Sequence, residues 1–489
     1  MMSLIIAVVL FVLVSIPSAA NAEEPNASQP SATNEWRAFF EGLIPPQELK
    51  EDLDFLFDKI AEIHPNMYAF TSEEEFAKIR DALYARIDKP MSRRDFYRHV
   101  SPVVASLKTG HTFVVPPFKQ FKSCLGSEGE KTFPFKALCD GKNVIILLKD
   151  HGMDDLPTGG TIVSINDRDV GEVVSTIARW SGADGEDNRL AELERDLVLQ
   201  TFLWVEFEAP AVLNVRVRDA KGEVASCKIE ATSSEEPAAT GQHQSKKPCS
   251  YRFIETDDTG VITMDSFWDM EESSEFFEKT FSHLRRKKIP NLIIDLRNCP
   301  GGSSTIGDVL LAYISDKPFL QMHRMDTKLS PEVYRRYGQD LKSCLGDRNV
   351  VEGRTVSLRF NERGDFFRQP VESARRYRGR VFVLINRGSF SSSSSFASAV
   401  KYYGMGVLVG EETGGPTACY GDCIMNSLPH SGIEFSTPCK YFVQAGGKDD
   451  GRGVMPDHEV RQSPEDLAKG VDTVLEYTLD LIRREKDPD

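Results

Sequence analysis

The sequence has little of several things that would place a protein quickly. Beyond its first 22 residues it has no apolar run long enough to cross a bilayer, which takes ~20 consecutive apolar residues, so no integral membrane segment is expected in the body of the chain. Positive charge is not in excess: 59 Lys and Arg stand against 74 Asp and Glu, a formal net charge of −15. That argues against nucleic acid or an anionic membrane as a general partner, since both call for basic patches. No fixed-period repeat is present, so a solenoid or propeller is not indicated. The nine cysteines include Cys419, Cys423 and Cys439, but their spacing matches no ordinary zinc pattern, and neither metal nor cofactor is expected. If disulfides form, the odd count leaves at least one thiol over.

What the chain does have begins at its N-terminus. Leu4 to Ile16 is apolar but short for a span, and Pro17-Ser18-Ala19-Ala20-Asn21-Ala22 follows with small residues where a signal peptidase cuts. Only the chain amine supplies positive charge ahead of it. The expectation is a cleaved signal over 1–22 and a secreted or periplasmic location, with an uncleaved anchor as the alternative. No cysteine lies near the cleavage site, so a lipoprotein is not expected. Residues 23–42 read as a polar, flexible lead-in. Helical spacing then dominates from Glu48 to Leu107: Leu53, Phe55, Leu56, Ile60 and Ile63 share a face until His64-Pro65-Asn66, a second helix covers Glu74 to Ile87, and a third begins at Ser92 with Asp95 as its capping partner. Residues 118–232 read as short strands, with a strand and turn over Thr161–Val170, a helix over Gly171–Trp180 and a hairpin of Val212–Val217 with Val224–Ile229. Residues 233–250 are a polar linker.

From Tyr251 onward strands and helices alternate, which implies a layered α/β domain with a mainly parallel sheet. Two strand-to-turn elements carry the chemistry. Leu292–Leu296 is a buried strand that runs into Arg297-Asn298-Cys299-Pro300-Gly301-Gly302, whose paired glycines let backbone N–H groups approach a ligand. Val381–Ile385 is another, followed by Asn386-Arg387-Gly388 and a serine cluster, Ser389 and Ser391 to Ser395, that leads into a helix. A serine at such a junction is either a helix cap or a nucleophile with its hydroxyl held out. In a parallel sheet both turns lie at the carboxyl ends of strands, where these folds place their sites. A hydroxyl facing an anion-binding backbone suits acyl transfer. Residues 317–378 interrupt the alternation with a long charged insertion that can lie over the site.

Taken together, these motifs resemble peptidase family S41, the C-terminal processing or tail-specific proteases and their tricorn-like relatives. The resemblance rests on Asp295-Leu296-Arg297-Asn298-Cys299-Pro300-Gly301-Gly302, the serine stretch with Tyr403-Gly404, Val409-Gly410-Glu411-Glu412-Thr413-Gly414-Gly415 and Gly453-Val454-Met455-Pro456-Asp457, in that order, with Gly110-His111-Thr112 upstream. It implies a ClpP/crotonase-like α/β core over 251–485, an N-terminal helical domain over 43–117 and a PDZ-like β-rich domain over 118–232. It places the nucleophile at Ser391, with Ser389 and Ser393 as reserves, and the oxyanion hole at Ser392 with Gly301 or Gly302. The processing-protease branch takes a lysine base after the Val-Gly-Glu strand; this chain has Pro416 there. The tricorn-like branch takes a histidine, matched by His111, and an acidic residue late in the chain, matched by Asp449 or Asp450. Thr109 or Thr112 can supply a further polar group beside the histidine.

The expected function is an exported serine endopeptidase acting on polypeptides through an acyl-enzyme. The alternatives are a catalytically inactive protein that binds a peptide or an apolar ligand on the same scaffold, and a structural envelope module acting through the PDZ-like part. Cleavage specificity, disulfide pairing and oligomeric state are not legible.

Overall fold

The computed structural model describes residues 35–125, 135–141, 143–149, 159–184, 196–207, 212–219, 221–230, 247–345, 353–362, 364–463, 465–466 and 469–484. The expected signal, most of the lead-in and most of the linker lie outside the described residues. The chain divides into two compact units. Among the described residues, one comprises 35–230 and 423–437, the other 247–422 and 438–484.

In the first unit, the helices Pro46–Ile63, Glu73–Arg86 and Arg93–Ala105 follow the spacing of their apolar residues. Leu49, Leu53, Leu56, Ile60 and Ile63 are all fully buried, one stripe at 3.6-residue spacing. His64 ends that helix with extended backbone, as a residue before proline must. Ser72 and Ser92 cap the next two, their hydroxyls accepting from Glu75 N at 3.2 Å and Asp95 N at 3.1 Å. An antiparallel sheet follows in the order Phe135–Asp140, Asn143–Lys149, Thr161–Ile165, Val212–Arg218, Val224–Glu230. One apolar core runs through both parts, from Phe40 and Leu49 to Ile162, Trp204 and Val217, so the boundary at 117/118 does not separate two cores.

Two helices here, Phe118–Leu125 and Asp196–Phe207, run against the expectation of short strands over 118–232. The second is apolar nearly all round. Val198, Leu199, Phe202, Leu203, Trp204 and Val205 are all buried, so no polar face marks a helical period.

The second unit is built on a six-stranded sheet. Its order is His458–Glu459, Val407–Gly410, Arg380–Ile385, Asn291–Asp295, Thr259–Met264, Cys249–Ile254, parallel except for the last pair. Ile262, Leu292, Ile294 and Val383 pack against the helices Met270–Lys287, Ser304–Ile314 and Ser392–Tyr403. Val261, Ile293, Phe382 and Leu384 face the other way, onto Val474, Leu475, Leu479 and Ile482 of the helix Thr473–Arg484. Burial on both faces is why these strands are continuous apolar runs.

The 317–378 insertion is more ordered than its charge suggests. It holds the strands Met322–Lys328 and Thr355–Arg359, paired with each other, and the helix Pro331–Leu345. It is fastened beside the helix Ser304–Ile314, where Arg368 Nε donates to Asp308 Oδ2 at 2.9 Å and Gln321 Nε2 to Ser304 O at 2.6 Å. Two long antiparallel strands, Ala418–Ser427 and Glu434–Gln444, follow the glycines at 414 and 415, and each passes from one unit to the other along the chain. The sequence reading had no counterpart for them.

Candidate active site

The serine cluster is sorted by burial. Ser389 is fully buried and committed: its Oγ donates to Leu296 O at 2.8 Å and accepts from Asn386 N at 3.1 Å. Ser393 is also fully buried. Ser394 Oγ donates to Ser389 O at 3.0 Å, and Ser392 Oγ to Gly302 O at 2.6 Å. Ser391 alone among them is partly exposed, and its backbone is unusual, with φ 54° and ψ −120°. A non-glycine residue there stores ~1–3 kcal/mol of strain, held by the surrounding structure. Of the two reserve positions, Ser389 is tied down by its hydrogen bonds and Ser393 is buried, while Ser391 is the more exposed.

The glycine turn packs directly on this elbow. Gly301 has φ 90°, and a Cβ placed on it would lie 2.7 Å from Ser392 N and 2.9 Å from Ser391 Cβ. Only glycine allows this approach. Gly302 has φ 140° and abuts the Phe267 carbonyl. Among the described residues, the backbone N–H groups of Gly301, Gly302 and Ser392 have no acceptor in the protein. Ser392 is the first residue of its helix, where N–H groups have no intrahelical acceptor and point toward an incoming anion. The arrangement can accept an oxyanion.

Residues the sequence reading passed over fix the two turns together. Asn298, at φ 59°, gives its N–H to Asn386 Oδ1 at 2.9 Å, and Asn386 Nδ2 returns a bond to Asn298 Oδ1 at 3.0 Å. Phe390 N donates to Cys299 O at 3.0 Å. Arg297 bonds Asp295 through Nε at 2.9 Å and Nη2 at 2.6 Å, and reaches Asp472 through Nη1 and Nη2, both at 2.7 Å. Asp472 also caps the last helix through Leu475 N at 3.0 Å. Burial pushes the Asp472 carboxyl up, but the bonds and charge of Arg297 outweigh it and hold it below the usual carboxylate range. Asn298 sits inside a quoted motif, but Asp472 lies 175 residues from Arg297 with no local signal.

The two late motifs form a clasp. Glu412 takes Arg452 Nε at 2.8 Å and Gly453 N at 2.8 Å, and its carboxyl lies below its ordinary range, chiefly because of Arg452. Thr413 N donates to Val454 O at 3.1 Å and Val454 N to Thr413 Oγ1 at 2.8 Å. Asp457 takes Leu408 N and Lys401 Nζ, each at 2.9 Å. Asp449 and Asp450 stand exposed just before this clasp, with Asp450 Oδ1 accepting from Arg452 N at 3.0 Å.

His111 lies in the other unit, on a loop held by its backbone. Lys108 turns the chain at φ 58°, Thr112 N donates to Thr109 O at 3.0 Å, and Thr109 Oγ1 donates to Thr112 Oγ1 at 2.6 Å. Ser436 Oγ donates to His111 O at 2.8 Å, where Phe113–Val114 pairs with Phe435 and Ser436. The buried carboxylate of Asp184 takes Gly110 N at 2.9 Å. Asp184 and Ser436 were not foreseen; both are far from the histidine in sequence.

A parallel sheet that presents a strained serine beside free backbone donors at its carboxyl edge defines the α/β class of serine-type hydrolases. The model of peptidase family S41 matches residues 258–460. Over 190 residues the chain is 27% identical to the tail-specific protease of Haemophilus influenzae, covering 38% of this chain and 22% of that protein, so it spans about a fifth of that relative's length. The crystal structure of mature CPAF superposes with a TM-score of 0.64 at 14% identity, covering 91% of this chain and 99% of that one. Mature CPAF complexed with lactacystin gives 0.60 at 14% identity, over 90% and 98% of the two chains. At that identity the likeness speaks to the fold, a mixed α/β one.

Proposed function

We propose that this chain is an exported serine endopeptidase that cuts polypeptides through an acyl-enzyme on Ser391. The observation that carries the reading is the strained, partly exposed Ser391 beside the free N–H groups of Gly301, Gly302 and Ser392. In this mechanism Ser391 Oγ attacks the scissile carbonyl and His111 takes its proton. Negative charge develops on the carbonyl oxygen and is met by the N–H groups of Ser392 and the glycine turn. Collapse expels the amine, which takes the proton back from His111. Water then attacks the ester along the same route and frees Ser391.

A histidine base fits this chain better than a lysine. Position 416 is proline, and Lys401 and Lys440 are engaged by Asp457 and Asp422. Asp449 or Asp450, both exposed, would orient the imidazole. Export rests on the apolar stretch Leu4–Ile16 and the small residues after it.

The test is hydrolysis of a disordered polypeptide by the purified chain, beside Ser391→Ala and His111→Ala. Ser391→Ala should remove measurable turnover, and His111→Ala should lower kcat by ~10³-fold or more with KM little changed. Full activity in Ser391→Ala would end the proposal, and a small loss in His111→Ala would return the base to a lysine.

A further inference from the structure

Three adjacent parallel strands end at the same edge of the sheet, in the order Arg380–Ile385, Asn291–Asp295, Thr259–Met264. Their turns follow in that order: Ser391, then Gly301 and Gly302, then Phe267 and Trp268. The third turn is pinned to the second. Phe267 N donates to Gly301 O at 2.9 Å, and Ser303 N donates to Phe267 O at 2.7 Å. Phe267 is fully buried, its ring 6.2 Å from that of Phe396. Trp268, the next residue, stands 42% exposed. Its own carbonyl is held by Ser273 Oγ at 3.3 Å. The Trp268 backbone is therefore fixed one residue from the contact with the glycine turn, and the strand order puts this turn on the side of the glycines away from the strand that leads to Ser391.

We infer that Trp268 is a specificity-determining residue, binding a bulky apolar side chain of the polypeptide whose scissile carbonyl occupies the donors of Gly301 and Ser392. This rests on the serine peptidase reading and adds the substrate class. A tryptophan offers a large contact area at low entropic cost, which is why it anchors recognition sites.

The experiment uses the full chain, Trp268→Ala and Trp268→Phe, with two fluorogenic peptides that differ only in a Leu or an Ala at the selected position. The position is first found by scanning Leu along an Ala-rich peptide with the wild-type chain. For the Leu peptide, Trp268→Ala should lose about tenfold or more in kcat/KM, mainly through KM, and Trp268→Phe should recover most of it. The Ala peptide should change by less than about twofold, and a small fluorophosphonate should label Ser391 at an unchanged rate. Equal losses on both peptides, or no loss on either, overturn the assignment of Trp268 while leaving the peptidase reading intact. A wild-type chain that neither cleaves nor labels overturns that reading and this inference with it.

Discussion

The serine elbow and the clasp are both motif-rich stretches at one edge of the same sheet, yet they are built in opposite ways. In the clasp, Glu412, Thr413 and Asp457 turn their polar atoms onto the backbone of Gly453, Val454 and Leu408. At the elbow, Ser391 sits at φ 54°, Gly301 leaves no room for a side chain, and three N–H groups have no acceptor among the described residues. A motif that is satisfied and relaxed is holding the chain together. One that is strained and left with free donors is prepared for something that arrives later. The two look alike as sequence because glycine and small polar residues serve both purposes.

Substitutions separate the two regions. The largest effect is expected at Gly301→Ala, where a Cβ 2.7 Å from Ser392 N disturbs the donor pair. The kcat should fall ~10²- to 10³-fold, as when one oxyanion donor is lost, as measured by single-turnover cleavage. Next is Asp472→Asn, which weakens the Arg297 link and should lower kcat about tenfold with KM little changed. This variant also carries a pH signature. The Asp472 carboxyl lies below its ordinary 3.8 in the folded chain, so its stabilisation is present above that value and is lost as pH falls through the lowered one. The gap in unfolding free energy between wild type and Asp472→Asn should hold at neutral pH and close in acid, as followed by denaturant titration.

Smaller still is the clasp. Thr413→Val leaves Val454 N without its side-chain partner and should cost ~1–2 kcal/mol of stability, while activity per folded molecule stays near wild type. A large loss of kcat there, with stability kept, would break the distinction between the two regions. The smallest effect is at the elbow itself. Ser391→Gly should unfold at a higher denaturant midpoint than Ser391→Ala, by ~1 kcal/mol, because glycine adopts this backbone without strain.

Much of the sheet was legible because Leu292–Leu296 and Val381–Ile385 are buried on both faces and read as continuous apolar runs. The same logic failed at Asp196–Phe207, where burial all round erased the helical period. The two glycines and the serine cluster could be found locally, whereas the exposure and backbone angle that set Ser391 apart from its neighbours could not. The braces could not be found locally. Asn298 meets Asn386 across 88 residues, and Arg297 meets Asp472 across 175, so nothing within either stretch announces its partner. The 317–378 insertion was legible as a long charged stretch that can lie over the site, but its fastening through the half-buried pair of Asp308 and Arg368 was not.

The most direct measurement is labelling of the intact chain with a serine-reactive fluorophosphonate, followed by mass mapping of the adduct. A single adduct on the peptide carrying Ser391, absent in Ser391→Ala and slowed in Gly301→Ala, is the expected result. No adduct, or an adduct carried by Ser389, Ser393 or a serine elsewhere, would contradict the assignment of this elbow as the nucleophile.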